Sequence, residues 1–483
     1  MPKALAKSSG GGGGDATANE RQPLVEKSMS LTTRTAYALG HVFNDLVAAM
    51  WFSYTLIFLQ RVALFRPITA GSLLLLGQVV DALMTPVFGI LVDKYAKKKA
   101  WHVVGSVMVT LSFPLIFGSF VRNPNSGLTM FVYVLSIILF QTGWAAVQIS
   151  HLSMIPALTS SSALRAELTA LRYSAQVGAA VIVFVVTWIV LPSSFIDGVR
   201  LGPIDRFRFR NIAVVITLLG VVASILFHAF LNARLLEAYT GRNGGSSSKA
   251  TTPSSVEAAA ISPVEGAGLF TSAAQTSIGP PQQRRKSSIQ TNVLATVAML
   301  YVASRLFITL ATVYLPLYIE EVDEGGRQAL ATVPLVSYCA SFATAMLIKY
   351  INRSCGAKLC YLLGAVIGVV AALVVEIAGS HVAILYVVAI LIGAASSITM
   401  VTALSITAEL IGPRTESSAM VYSVVTFLDK VITGLVVILI EKLRCFDKLL
   451  CPHYNRDTLA AVCAASMALG LVTLLLVARC KSN

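Results

Sequence analysis

Apolar runs of about 20 residues recur along the chain and alternate with short polar segments. A helix of about 20 apolar residues crosses the roughly 30 Å hydrocarbon core of a bilayer. The pattern predicts twelve such helices, at about 35–60, 68–92, 101–121, 129–157, 167–191, 211–233, 290–318, 328–350, 356–378, 382–408, 417–441 and 458–479. The predicted fold class is therefore an all-α polytopic membrane protein.

One long polar segment divides the predicted spans into two sets of six. Residues 234–289 are rich in Gly, Ser, Pro and Ala, which is typical of a disordered linker. The first 33 residues are also polar and Gly-rich, and they contain no apolar run. We therefore predict a disordered tail at 1–33, a six-helix half at 34–233, the linker at 234–289 and a second six-helix half at 290–480.

Composition and charge agree with a membrane protein. Of the 483 residues, 56% are hydrophobic and 12% are charged, whereas soluble domains carry about 25% charged residues. The net charge of +14 does not indicate nucleic-acid binding, because the basic residues lie between apolar spans. Lys and Arg are more frequent on the side that carries both termini, with 22 there against 12 on the other. This bias predicts that both termini are cytosolic, although the Arg-rich loop 192–210 opposes it.

Charged and polar side chains recur at three- and four-residue spacing inside several spans. A charge at bilayer depth costs at least about 2.5–3.5 kcal/mol, so such residues usually serve a function. We expect them to line a polar cavity near the midplane that binds a small-molecule substrate. The candidate substrate-binding residues are His41, Asn44, Asp45, Trp144, Gln148, Arg172, Arg305 and Lys430. The candidates for proton coupling are Asp45, Asp81 and His151.

Some of these residues also have a simpler interpretation. Arg172 lies about one and a half turns from the end of its span, from where its side chain can reach the membrane surface. Either Asp429 or Lys430 can form a structural ion pair with another helix, since the two point in different directions. His151 suits a buried hydrogen-bonding role as well as a proton relay. Cys445 and Cys451 share one predicted luminal loop, where they either pair or remain thiols.

The loop after the second span carries the motif GILVDKYAKKK. It resembles the Gly-x-x-x-Asp-Arg/Lys-x-Gly-Arg-Lys/Arg loop of the major facilitator superfamily, whose two six-helix halves rock about a midplane site. The resemblance implies that the loop bridges helices on the cytosolic face in one state of the transport cycle. The gating residues would be Asp93, Lys94, Lys97 and Lys98. A cluster of positive charge that only sets topology would explain the same lysines.

Three segments resemble the melibiose-permease type of sugar–cation symporter: FND in the first span, LLLLGQVVDALMTPVFG in the second, and HLSMIPALTSSSALRAELTALRYS across the fourth and fifth. The resemblance implies that Asp45 and Arg172 hold substrate. It also implies that Asp81 contributes to cation binding, with Lys430 beside it.

This sequence departs from the symporter pattern at two acidic positions. Thr85 stands one turn after Asp81, and Gln148 stands at the acidic position of the fourth span. A Na⁺ site of two or three carboxylates is therefore not expected, and we expect no other metal or cofactor. Coupling to protons remains open.

Six further segments resemble the animal lysosomal and melanosomal cysteine importers of the superfamily, in the same order from about residue 34 to 435. They are KKKAWHVVGSVMVTLSFPLIF, FQTGWAAVQISHLSMIPAL, AELTALRYS, ATVPLVSY, ITAELIGP and FLDK. The resemblance implies import of cysteine from the cytosol into lysosomes and melanosomes, with effects on pigmentation. A zwitterionic amino acid needs an acid and a base in the cavity, which the candidate residues supply.

Other functions stay open at this stage. A proton-coupled symporter or antiporter of a sugar or another metabolite fits the same cavity, and so does a receptor that keeps the transporter fold without transport. An enzyme is not expected, because neither a His-Glu-x-x-His motif nor a phosphate-binding Gly-Lys-Ser/Thr loop is present. We expect a monomer in the lipid bilayer.

The N-terminal tail contains a short pattern that resembles an acidic dileucine sorting signal. It comprises Glu20, Leu24 and Val25, with Val at the second aliphatic position. The resemblance implies that a sorting adaptor binds the tail and directs the protein to endolysosomal membranes.

Overall fold

The structure is a computed structural model that describes residues 29–95, 97–118, 123, 126–159, 162–191, 201–231, 291–322, 328–377, 381–411, 415–445 and 451–480. The described chain is almost entirely helical. The helices of the first half are α1 Leu31–Leu39, α2 Val42–Ile57, α3 Pro67–Tyr95, α4 Lys98–Gly118, α5 Gly127–Leu152, α6 Ile155–Leu158, α7 Ser162–Val190 and α8 Arg206–Phe230. Those of the second half are α9 Thr291–Val322, α10 Ala329–Cys355, α11 Ala357–Ile377, α12 Val382–Ile411, α13 Thr415–Lys442 and α14 Tyr454–Cys480.

The membrane-spanning helices agree with the hydropathy pattern. Within the described ranges, 11 helical segments are long and apolar enough to cross a bilayer, and the first of them joins α1 and α2 with a π-helical turn at Phe58–Val62. The 28-residue helix α13 occupies the position of the remaining predicted span. In helices every backbone N–H and C=O is paired within the segment, as the bilayer interior requires. The prediction of an all-α polytopic fold is confirmed.

Large apolar side chains also cover the outside of the helix bundle. Leu111, Leu218, Ile225 and Leu475 are each more than half exposed although they lie in the middle of apolar helices. In a soluble protein such a surface would be an interaction patch, whereas here lipid chains cover it. Polar side chains at the same depth point inward, so the bundle interior is where the candidate site lies.

The first span is interrupted where α1 ends, at Gly40 and His41. The carbonyl oxygen of Tyr37 accepts a hydrogen bond from Nε2 of His151 at 2.8 Å, and that of Gly40 accepts one from Nε2 of His102 at 2.7 Å. These two imidazoles satisfy carbonyls at the end of α1. A Cβ at residue 40 would lie 2.7 Å from the His151 ring, so the close packing here requires glycine. The break places His41 at the start of α2.

The two halves pack together along three helix pairs, α3 with α13, α7 with α10 and α2 with α9. Gly434 lets α13 approach α3, because a Cβ there would lie 2.3 Å from Cδ1 of Leu75. The Tyr173 ring of α7 stacks on Phe342 of α10 with centroids 5.9 Å apart. The bundle has a terminal face, which carries the start of α1 and the end of α14, and an opposite face.

Hydrogen bonds join the halves at the opposite face. Nε2 of Gln60 donates to Oε2 of Glu441 at 2.8 Å, and Nη1 of Arg444 donates to the same carboxylate at 2.8 Å. Arg61 of the first half forms an ion pair of 2.6 Å with Glu320 of the second. The hydroxyl of Tyr54 donates to the backbone carbonyl of residue 330 at 2.9 Å. The opposite face is thus closed by polar contacts between the halves.

A disulfide bond joins Cys445 to Cys451, with the Cα atoms 6.2 Å apart. It follows directly after Arg444 on the opposite face. Of the two alternatives that the sequence left open for these cysteines, the structure has the pair.

Candidate functional site

Three side chains from two helices form a continuous hydrogen-bonded chain inside the first half. Nδ1 of His41 lies 2.9 Å from Oδ1 of Asp45, one turn further along α2. Nε2 of His41 lies 3.0 Å from Nη2 of Arg172 on α7. All three residues are at most 4% exposed. An acid and a base are thus held in the membrane interior with a single imidazole between them, in what we call the Asp45–His41–Arg172 chain.

The partners of His41 determine which of its nitrogens carries the proton. A guanidinium group has N–H donors and no acceptor, so Arg172 donates and Nε2 of His41 accepts. The proton of the neutral imidazole therefore resides on Nδ1, from where it is donated to Asp45. In this arrangement His41 is uncharged, and it bridges the negative and the positive group.

Several buried polar atoms in and around the Asp45–His41–Arg172 chain have no hydrogen-bond partner among the described residues. They are Oδ2 of Asp45, Nε of Arg172, the hydroxyl of Tyr37 and Oδ1 of Asn44. Buried polar atoms are nearly always hydrogen-bonded in folded proteins, and each unpaired one is costly. An acceptor on the acid and a donor on the base are therefore left without protein partners, although neither atom is exposed to solvent in this state.

Three further candidate residues lie on the helices next to the Asp45–His41–Arg172 chain: Asn44 on α2, and Trp144 and Gln148 on α5. Nδ2 of Asn44 donates to the backbone carbonyl of Trp144 at 3.1 Å, which fixes α2 against α5. The Trp144 indole packs between the rings of Phe52 and Phe140, with centroids 5.8 and 5.7 Å away. Gln148, one turn after Trp144, is 3% exposed. The structure thus places Asn44, the neighbour of Asp45 in α2, against the helix that carries Trp144 and Gln148.

The other charged residues that the sequence places inside the membrane spans form two buried ion pairs. Lys430 on α13 pairs with Oδ2 of Asp81 on α3, so this pair joins the two halves. The Thr85 hydroxyl donates to Oδ1 of Asp81 at 3.2 Å and to its backbone carbonyl at 2.8 Å. Arg305 and Asp429 pair at 3.0 Å within the second half. The symporter resemblance placed Lys430 beside Asp81, and the structure has this pair. Arg305, a candidate for the substrate site, instead has Asp429 as its partner.

The residues of the predicted gating loop are only partly described. Lys98 donates to the backbone carbonyl of Ser153 at 2.8 Å, while Lys94 and Lys97 are exposed. The side chain of Asp93 lies outside the described part of the structure. The sorting residues Glu20, Leu24 and Val25 lie outside the described residues as well.

Two histidines that sequence reasoning missed complete a cluster at the terminal side of the site. Nδ1 of His102 on α4 lies 3.0 Å from Nε2 of His228 on α8, and its ring centroid is 6.2 Å from that of His151. His41 lies next to His151, with centroids 5.5 Å apart. The available signal was that four of the six His fall in apolar spans near their cytosolic ends. Despite this cluster, no group of three or more His, Cys, Asp or Glu within the described ranges is arranged to hold a metal ion.

Comparison with known sequences gives matches over nearly the whole chain. A family profile described as "MFS/sugar transport protein" matches residues 36–256. Major facilitator superfamily domain-containing protein 12 of Mus musculus is 34% identical over 478 residues, which cover 94% of this chain and 95% of the relative. The Homo sapiens protein of the same name is 35% identical over 447 residues, 88% of each chain. An uncharacterized symporter of Synechocystis is 23% identical over 210 residues, 42% of this chain and 37% of that protein.

Solved transporter structures share the fold. The nucleoside transporter NupG superposes with a TM-score of 0.63 at 10% identity, covering 94% of this chain and 100% of that one. The xylose transporter XylE from E. coli, in a partially occluded inward-open conformation, gives a TM-score of 0.60 at 12% identity, covering 92% and 97%. At this identity the likeness establishes the arrangement of the helices.

Proposed function

Since the chain belongs to the major facilitator superfamily, in the family of major facilitator superfamily domain-containing protein 12, and is a membrane transporter rather than an enzyme, we propose that it carries cysteine from the cytosol into lysosomes and melanosomes. Transport proceeds by alternating access, in which the two halves expose a central site first to one side and then to the other.

The Asp45–His41–Arg172 chain is the observation that carries this proposal. The free Oδ2 of Asp45 is an acceptor for the ammonium group of an amino acid, and the free Nε of Arg172 is a donor for its carboxylate. Both groups are buried, where charge-assisted hydrogen bonds are strong. A zwitterion pairs with both charges at once, whereas a sugar, which the resembling symporters hold with residues at the same positions, offers only hydroxyl groups.

The choice of cysteine among small amino acids rests on the sequence resemblance to cysteine importers. A thiol needs a small apolar space with at most a weak polar partner. The aromatic rings of Phe52, two turns after Asp45 on α2, and Trp144 pack against each other and are compatible with such a group. The lysosomal and melanosomal destination rests on the same resemblance and on the tail signal at Glu20, Leu24 and Val25.

The direction of access follows from two features. We assign the terminal face to the cytosol because Lys and Arg are more frequent there. The contacts of Gln60 with Glu441 and of Arg61 with Glu320 hold the opposite, luminal face closed. These features support a state whose luminal face is closed. Because Asp45 and Arg172 are buried here, the cytosolic side opens before cysteine reaches them.

A competition experiment on isolated organelles tests the cargo. Lysosome-enriched vesicles that contain the protein are given labelled cysteine on their cytosolic side, with an excess of one unlabelled solute at a time. We expect cysteine to suppress uptake fully, serine and alanine to suppress it partly, and cystine and sugars to leave it unchanged, because only a small zwitterion matches the site. Vesicles without the protein give the background.

A different ranking of competitors would overturn the proposed cargo. Suppression by a sugar, or transport of a solute without opposite charges, would contradict the assignment of Asp45 and Arg172 to ammonium and carboxylate.

A further inference from the structure

We propose that His41 is the residue that couples transport to protons, and that the carrier exchanges one luminal proton for each cysteine it imports. This inference rests on the proposed function, because it assumes that the cargo ammonium and carboxylate occupy Asp45 and Arg172.

The observed contacts of His41 exist only while its imidazole is neutral. Nε2 must offer a lone pair to Arg172 at 3.0 Å, because the guanidinium group can only donate. A proton on Nε2 would place an N–H against the N–H of Arg172 and a positive ring beside a positive group. Protonation of His41 and its bond to Arg172 therefore exclude one another.

Protonation also competes with the cargo at Asp45. His41 already contacts Oδ1 of Asp45 at 2.9 Å, and both side chains are only 1% exposed. A charged imidazolium would form an ion pair with this carboxylate and supply the positive charge that the cargo ammonium otherwise supplies. The proton and the ammonium group thus compete for one carboxylate, which is the condition for antiport.

The other titratable groups around His41 make different contacts, and Nδ1 of His151 and the Tyr37 hydroxyl have no hydrogen-bond partner among the described residues. The Tyr37 ring of α1 stacks on His151 of α5 at 4.3 Å, and Nε2 of His151 donates to a backbone carbonyl, as does Nε2 of His102 on α4. His228 of α8 lies beyond, hydrogen-bonded to His102. Of these four described imidazoles, His41 is therefore the one that contacts both the acid and the base.

The transport cycle follows with protons balanced. In the luminal state, a proton from the acidic lumen adds to Nε2 of His41. The resulting imidazolium replaces the cargo ammonium as the cation paired with Asp45, and cysteine dissociates into the lumen. The protonated carrier returns to the cytosol-open state and loses the proton to cytosolic water. Arg172 then regains its bond to His41, as observed here, and the next cysteine binds. Histidine is suited to this exchange because an imidazole that the luminal state exposes to water, away from Arg172, changes charge within the physiological pH range.

The test is cysteine binding to the purified full-length protein between about pH 5 and 7.5, a range in which the free amino acid keeps its charges. For the wild type we expect the Kd to rise as the pH falls, by up to about tenfold per pH unit, together with proton release on binding. In His41→Gln the amide can still donate to Asp45 and accept from Arg172 but does not titrate. We expect its Kd to be independent of pH in this range, with no proton released.

His102→Gln is the matched control, because it removes an imidazole of the same cluster that does not contact Asp45 or Arg172. It should keep the pH dependence of the wild type. A wild-type pH dependence in His41→Gln, or a pH-independent wild type, would overturn the assignment of the proton to His41. Absence of cysteine binding by the wild type at every pH would instead overturn the proposed cargo.

Discussion

Replacing Asp45 with Asn is expected to reduce cysteine uptake at low substrate concentration by roughly tenfold to a hundredfold, while the protein folds and reaches its membrane normally. Asn keeps the shape of the side chain and an oxygen that accepts from Nδ1 of His41, but it removes the charge that pairs with the cargo ammonium. A charge-assisted hydrogen bond contributes about 1.5–3 kcal/mol, which corresponds to roughly a tenfold to a hundredfold loss of affinity. Initial rates of labelled-cysteine uptake into vesicles measure the effect.

Asp457→Asn is the matched control for this change. Asp457 is the same residue type in the same bundle, but its side chain is 56% exposed and it pairs with the neighbouring Arg456. We expect uptake by this variant to equal that of the wild type. Normal uptake by Asp45→Asn at low cysteine concentration would exclude Asp45 as the ammonium site.

Breaking the Asp81–Lys430 pair is expected to lower stability strongly, and removing both charges is expected to restore it. Both side chains are at most 8% exposed, so Lys430→Met leaves Asp81 as an uncompensated buried charge. Removing one partner of such a pair costs about 3–5 kcal/mol, whereas replacing both with uncharged residues is often neutral. The apparent melting temperature of the purified protein should therefore fall in Lys430→Met and in Asp81→Asn.

The double variant and a second lysine separate this effect from a general loss of packing. Asp81→Asn with Lys430→Met should melt close to the wild type, because no unpaired charge remains. Lys442→Met changes an exposed lysine at the far end of the same helix and should have little effect. If the decrease in melting temperature of the double variant equals the sum of the two single decreases, the two residues act independently.

The sequence predicted the spans and the inward-facing polar residues because both follow from local patterns. A run of apolar residues specifies a membrane helix through its length alone. A carboxylate at membrane depth, such as Asp45 or Asp81, indicates an interior face whatever its partner. The family resemblance added Arg172 as a partner for substrate, and the structure places it one imidazole away from Asp45.

The pairing of charges could not be predicted in this way. Whether Lys430 faces Asp45 or Asp81 depends on how α13 packs against α3, which no local pattern specifies. Only the symporter resemblance placed Lys430 beside Asp81, where the structure has it. The same applies to His102, whose partner His228 lies 126 residues away in the chain. The interruption of the first span at Gly40 also depends on carbonyl partners supplied by other helices.

Three of the arginines that oppose the charge bias form ion pairs on the opposite face. Arg61 pairs with Glu320, Arg208 with Asp205 and Arg444 with Glu441. Each is held by an acidic partner, so these arginines serve the closure and the loops of that face.

Counterflow of labelled cysteine in liposomes that contain only the purified protein tests the central claim most directly. Liposomes preloaded with unlabelled cysteine should accumulate the labelled amino acid when they contain the wild type, and they should fail to do so with Asp45→Asn. Counterflow does not depend on the orientation of the protein or on other organelle components. Absence of counterflow with the wild type, or equal counterflow with Asp45→Asn, would contradict a cysteine transporter built around the Asp45–His41–Arg172 chain.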